Sequence, residues 1–268
     1  VNRLALITAG VIAVTWAIVF AAETLRPLRT SRESKLRRTI RNAAVGALAL
    51  ELGLHLHAPF LVPISAWVDA RGFGLMNLVA MPSWLRVTLT IILLDYTLWW
   101  WHWMSHRVPL LWRFHVVHHV DRDLDASTAL RFHFGEHALS FVFRAMQVVV
   151  LGASPFSVWL WQAILFASIL FHHSNARLPL ALERRLVRFI VTPRMHGIHH
   201  ADVETRTHSN WSSLLSWWDM LHGTFRFDVP DEDIRIGVPA YGSSRDVGIF
   251  RILLLPFTRQ RDYWRRSE

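Results

Sequence analysis

Histidine is the residue type whose number and spacing point most directly to chemistry in this chain. Asp95 to His119 reads DYTLWWWHWMSHRVPLLWRFHVVHH and carries His102, His106, His115, His118 and His119. On a helix, positions four apart differ by about 40° around the axis, and an H-x-x-H-H group spans a sector of roughly 100°. Each group can therefore aim its rings at a common centre. A neutral imidazole is a good ligand for iron or zinc. The H-x-x-H-H spacing recurs at His196, His199 and His200 in TPRMHGIHHAD. Two such groups plus His102 and His106 hold more ligands than one tetrahedral ion takes, so the pattern points to two metals.

The elements that carry these groups are apolar. Of the 268 residues, 52% are hydrophobic, in long blocks, and 14 are tryptophan, a residue enriched where proteins meet lipid headgroups. The chain has no cysteine, which excludes disulfides, iron–sulfur clusters and thiolate zinc sites. A net charge of +9 fits anionic lipid better than nucleic acid, because basic and aromatic residues do not interleave. No H-E-x-x-H, glycine-rich phosphate loop or G-x-S-x-G turn is present.

Leu4 to Ala22 is uncharged and long enough to span a bilayer. Arg3 before it leaves a signal peptide as the competing reading, but no small-x-small site closes the run. The basic stretch from Arg26 to Arg41 places that loop in the cytoplasm and the N-terminus outside. Ala43–Trp67 and Leu85–Trp101 are the second and third apolar segments, the latter delivering His102 and His106 to the cytoplasmic face. Pro109 breaks the helix before WRFHVVHH. Ala138–Leu151 and Pro155–Phe171 are short runs expected to pair as a tight hairpin, returning His172 and His173 to the same side. The expectation is an all-α integral membrane protein of about four transmembrane helices with a cytosolic histidine-rich cap, set in a bacterial inner membrane. It divides into an N-terminal membrane region (1–92), a histidine-box region (93–227) and a cytosolic tail (228–268).

Asp95 lies two turns before His102 on nearly the same face. It is expected to hold the distal N–H of an imidazole, as are Glu136, Asn175, Asp202, Asn210 and Asp219, with ordinary solvent exposure the alternative for Asp202, Asn210 and Asp219. Beyond the metal ligands no separate catalytic side chain is expected.

The motifs HWMSH, FHVVHH, FHHSN with Arg177, HGIHH and SWWDMLHGTF resemble the fatty acid hydroxylase/sterol desaturase superfamily of membrane di-iron enzymes. The likeness runs from about Leu93 to Phe227. In that superfamily an R-x-H-x-x-E element, matched by Arg131, His133 and Glu136, and an F-x-H-S-N element, matched by Phe171, His173, Ser174 and Asn175, accompany the boxes. The resemblance implies ten ligands: His102, His106, His115, His118, His119, His133, His173, His196, His199 and His200. It implies two iron ions (zinc being a substitute in a structure) and O2 as co-substrate. Trp103 and Arg107 depart from the H-R-x-x-H form of the first box. The expected activity is hydroxylation of an unactivated C–H bond in a lipid of fatty acyl, sterol or carotenoid type. Desaturation at the same site is the alternative, and a membrane metal-binding or transport protein the alternative of another class. No cytochrome b5-like domain is visible, so a separate ferredoxin, cytochrome b5-type protein or reductase is the expected electron source.

Overall fold

The computed structural model describes residues 3–266 and is all helix apart from three isolated β-bridges. The elements are α1 (Arg3–Leu25), α2 (Lys35–Leu56), α3 (Val62–Arg71), α4 (Ser83–Arg107), α5 (Pro109–His119) and α6 (Phe134–Leu151). They are followed by α7 (Pro155–His173), α8 (Leu180–Leu186), α9 (Pro193–His199), α10 (Glu204–Thr207), α11 (Trp217–Leu221) and α12 (Ile249–Leu254).

Among the described residues four stretches are long and apolar enough to cross a membrane: Leu6–Leu25, Lys35–Asn77, Phe134–Leu151 and Pro155–His173. The chain is thus a multi-pass helical membrane protein. The second expected span is longer than Ala43–Trp67 and is not one smooth helix, since a π turn over His57–Leu61, containing Pro59, joins α2 to α3. A proline inside a helix removes one i→i−4 hydrogen bond, and the wider turn accommodates the break. The third expected span, Leu85–Trp101, lies within the 25-residue helix α4. Arg86, Asp95, Tyr96 and three consecutive tryptophans make it less apolar than the other four. Its Leu94 and Leu98 join Leu61, Val148, Trp161 and Leu165 in the main apolar cluster, so α4 is the central helix.

That central position alters the expected hairpin. Both α6 and α7 pack on α4, while α6 packs further on α2 and α7 on α1. The two legs straddle their neighbours instead of pairing tightly. The turn between them is set locally: Gly152 is left-handed at φ 74°, and Ser154 caps α7 through the Ser157 amide at 3.2 Å. Gly74, at φ 95°, approaches so closely that a Cβ there would lie 2.3 Å from the Gly152 amide nitrogen. Both glycines are required by this contact.

At the opposite end, the basic stretch is more than a headgroup-facing loop. Arg38 and Arg41 are buried. Arg38 donates to Asp121 at 2.9 Å and to the Asp123 carbonyl at 2.8 Å, and pairs with Asp125. Asn42 donates to Asp121, and its Oδ1 accepts from Arg131. Burial alone would raise the Asp121 carboxyl, but the Arg38 and Arg131 guanidinium groups hold it well below the ordinary carboxylate range. This network ties the start of α2 to the loop that leaves the His115–His119 helix. Deleting one member of such a buried ion-pair set costs roughly 3–5 kcal/mol. Glu23, buried at the end of α1, accepts from the Ala126 and Asn175 amides and closes the same end of the bundle.

Candidate metal centre

Four helices deliver imidazoles to this end: α4 and α7 through their last turns, α5, and α9 together with His200, the residue that ends it. Pro109 opens α5 as its first residue and Pro193 opens α9, so each box begins on a helix start preset by proline. The rings fall into two groups, within each of which one ring nitrogen per histidine lies within 4.8 Å of the others. The first group is His102, His106, His115, His119 and His199; the second is His118, His173, His196 and His200. His102 is partly buried and the other eight are buried.

Each H-x-x-H-H box serves both groups. The i, i+4 pair His115/His119 faces the first while His118 faces the second. The pair His196/His200 faces the second while His199 faces the first. Positions i and i+4 lie one above the other on a helix, and i+3 projects from the neighbouring stripe. The two groups therefore adjoin, with the His119 and His200 rings stacked at 4.3 Å and those of His199 and His196 at 5.0 Å.

Hydrogen bonding fixes several tautomers. His102 Nδ1 lies 2.7 Å from the Trp211 carbonyl, His199 Nδ1 2.8 Å from the Ser209 carbonyl and His173 Nδ1 2.8 Å from the Ile169 carbonyl. A carbonyl only accepts, so each Nδ1 carries the proton and each Nε2 presents a lone pair. His115 Nδ1 likewise meets Glu136 at 2.8 Å. In the second group the Nε2 atoms converge: His173 lies 3.0 Å from His118 and 3.0 Å from His196, and His196 3.0 Å from His200. His199 Nε2 and both nitrogens of His106 are buried without any hydrogen-bond partner. Each such orphan costs about 1–3 kcal/mol, and each of these two rings has one lone pair that calls for an electrophile. A cation is one, and the residues fit a cation in each group. Burial, then the neighbouring imidazoles, keeps His118, His119, His196 and His200 far below the ordinary imidazole value. Burial and His102 do the same for His199. Neutral rings are the form that binds metal.

Nine of the ten expected ligands are thus brought together. His133 is not. It caps α6, its Nδ1 accepting from the Gly135 amide at 2.9 Å and its Nε2 donating to the Leu253 carbonyl at 3.0 Å, so both nitrogens are engaged away from the two groups. Of the expected supporting residues, Glu136 alone touches a ligand ring. Asp95 instead accepts from the Leu215 amide at 3.0 Å and the Trp218 indole at 2.7 Å. Seven helical residues separate it from His102 by about 10 Å along the axis, too far for a direct bond despite the shared face. Asp219 accepts from the Trp211 and Ser212 amides and the Trp99 indole, and so fixes the turn whose carbonyl orients His102. Asn210, left-handed at φ 55°, bonds the Met195 and Arg226 carbonyls and the Arg226 amide, fastening α9 from below. Asn175 pairs with the backbone of Arg29, and Asp202 lies near Arg235 and Arg266; neither reaches a histidine.

Sequence reasoning missed the carbonyls of Trp211 and Ser209, for which side-chain type gives no signal. It also missed the Asp121–Asp123–Asp125 series, whose alternate spacing just after a histidine box was the available clue.

Comparison with known proteins agrees with this geometry. Residues 87–224 match the fatty acid hydroxylase family. The chain is 30% identical to an ornithine lipid hydroxylase of Rhizobium tropici over 67% of its own length and 52% of that protein's. It is 27% identical to an alkylglycerol monooxygenase of Danio rerio, over 66% and 37%, and 28% identical to a cholesterol 25-hydroxylase of Mus musculus, over 66% and 60%. The chain thus spans roughly a third to three fifths of these relatives. No solved structure matches it. With its histidine groups and its match over half the chain, the protein belongs to the fatty acid hydroxylase/sterol desaturase superfamily.

Proposed function

We propose that the protein is a di-iron lipid hydroxylase that inserts one atom of O2 into an unactivated C–H bond. The observation that carries this reading is the pair of adjoining all-imidazole groups, five and four rings strong, at one end of a membrane bundle. Five imidazoles exceed the four ligands of a structural zinc, whereas iron accepts a larger all-nitrogen set. His102, His106, His115, His119 and His199 would hold one iron, and His118, His173, His196 and His200 the other. Irons bound there would supply reductive activation of O2 and abstraction of hydrogen from carbon.

The chain's own contribution is positioning and exclusion of water. Trp211, Ser209 and Ile169 carbonyls and the Glu136 carboxylate fix ring orientation from behind. Trp112, whose ring lies 4.8 Å from that of His106 and 5.4 Å from that of His119, walls the first group with an apolar face. Burial keeps His118, His119, His196, His199 and His200 unprotonated. The overall balance is R–H + O2 + two electrons + two protons giving R–OH + H2O, so a separate electron donor of ferredoxin, cytochrome or reductase type is required. The basic stretch Arg26–Arg41, on the loop after the first span and the opening turns of the second, supports placing this end on the cytoplasmic side.

A membrane substrate follows from the position of the site at helix ends that emerge from the bilayer. The relatives that act on ornithine lipid, alkylglycerol and cholesterol support a lipid, and their names support hydroxylation over desaturation. The test is incubation of the reduced, iron-loaded protein in membranes with the host lipid extract under isotopically labelled O2. Label in a lipid alcohol is the expected result. A new double bond with no label in lipid would assign desaturation, and turnover without reductant would overturn the reading.

A further inference from the structure

The C-terminal region contains a short segment that is apolar on both of its faces. Ile252, Leu255 and Pro256 are buried, Ile252 and Leu255 in one cluster with Val45 of α2 and with Trp112, Val116 and Val117 of α5. On the other face Phe250 is 83% exposed, Leu254 59% and Phe257 61%. These three are spaced i, i+4, i+7 and form one stripe. Helices that are apolar all round belong in an apolar surrounding on every side. Among the described residues nothing covers this stripe.

Its place in the fold identifies what does. Helix α12 packs on α2 beside Val45, in a membrane-spanning stretch. The Leu253 carbonyl holds His133, the residue that caps α6, and the Phe257 ring lies 5.8 Å from that imidazole. The α6 span begins at Phe134, the next residue. Arg113 of α5 donates to the Pro256 and Thr258 carbonyls and locks the segment at this level. Two spans thus meet the segment, and on α2 exposed Ile40 and Leu48 bracket Val45, the residue against which the segment packs. Exposed Arg245 and Arg259 flank the segment, and exposed Arg251 lies within it and pairs with Asp246 at 3.7 Å. An apolar stripe edged by arginines fits acyl chains below and phospholipid phosphates above.

We infer that residues 249–257 are an interfacial membrane anchor, with Phe250, Leu254 and Phe257 inserted among the acyl chains of the leaflet on the histidine side. The segment is therefore no aqueous tail, and nine residues are too few to span. The inference stands without any assumption about metal or activity.

The absence of native cysteine permits a direct test. Phe250→Cys, Leu254→Cys, Phe257→Cys and, as an aqueous reference, Ser244→Cys are each spin-labelled in the full chain and reconstituted into vesicles of phosphatidylcholine and phosphatidylglycerol. All four side chains are exposed; Phe257 also meets the Phe114 and His133 rings at its edge, at 5.7 and 5.8 Å, so Phe250 and Leu254 are the cleaner positions. Collision with O2, which concentrates in hydrocarbon, is compared with collision with a water-soluble nickel chelate. Higher O2 and lower nickel accessibility at the three apolar positions than at Ser244 is the expected result. Nickel accessibility equal to that at Ser244 would overturn the anchor. Shielding from both relaxants would also overturn it, by showing that protein and not lipid covers the stripe.

Discussion

The two histidine groups are built on different principles. In the five-histidine group, His102, His115 and His199 are each held from behind by a carbonyl or carboxylate that belongs to another segment. In the four-histidine group only His173 is so held, by its own helix, and the Nδ1 atoms of His118, His196 and His200 are buried without partners. The first group is preorganised by the fold, whereas the second is held by convergence of its rings. Such a difference teaches that one site is rigid before metal arrives and the other is completed by it.

The largest expected effect is therefore at the ring on which the second group centres. His173→Ala removes the Nε2 that lies beside both His118 and His196. Iron content should fall from two per chain to about one, with loss of turnover, because the remaining three rings leave an incomplete set. Elemental analysis of the purified variant checks this; unchanged stoichiometry would erase the distinction between the groups. Next in size is the carboxylate behind the first group. Glu136→Gln should weaken iron binding there by about 10–100-fold and leave the second group's affinity unchanged, measured by competition with a chelator.

A pH effect sharpens the comparison. Burial holds His118, His119, His196, His199 and His200 in the folded state well below the ordinary imidazole value of 6.5. Below pH 6.5 the unfolded chain takes up protons that these folded rings resist. The stability of the metal-free protein is accordingly full above that pH and declines as pH falls below it. Thermal unfolding after chelation should show a lower midpoint at pH 5.5 than at pH 7.5. Bound metal should narrow the gap until acid releases it. A midpoint independent of pH would mean that the rings charge freely in the folded state. The smallest effect belongs to His133→Ala. It should cost about 1 kcal/mol through loss of the α6 cap and leave iron content unchanged.

Much of this site was legible because helical periodicity acts over a few residues. The i, i+3, i+4 spacing of His115–His119 and His196–His200 specifies faces on its own, and Pro109 and Pro193 mark where those faces begin. His133 illustrates the limit: its spacing to Glu136 resembles a ligand's, but whether an imidazole turns to a metal or to the Gly135 amide depends on the segment packed against it. Asp95 was legible as a buried carboxylate and Asp219 as a supporting one, but neither as an anchor of the 211–218 loop, because loop placement is decided across more than a hundred residues of sequence. The fold shows the same division. Span lengths follow from composition, while the π turn at Pro59, the wedge of α4 between α6 and α7 and the burial of Arg38 arise from tertiary packing.

Anaerobic titration of the metal-free protein with ferrous iron, followed to saturation, tests the central claim most directly. Saturation at two irons per chain, in two steps of unequal affinity with the five-histidine group filling first, is the result this account predicts. Saturation at one iron per chain would contradict it.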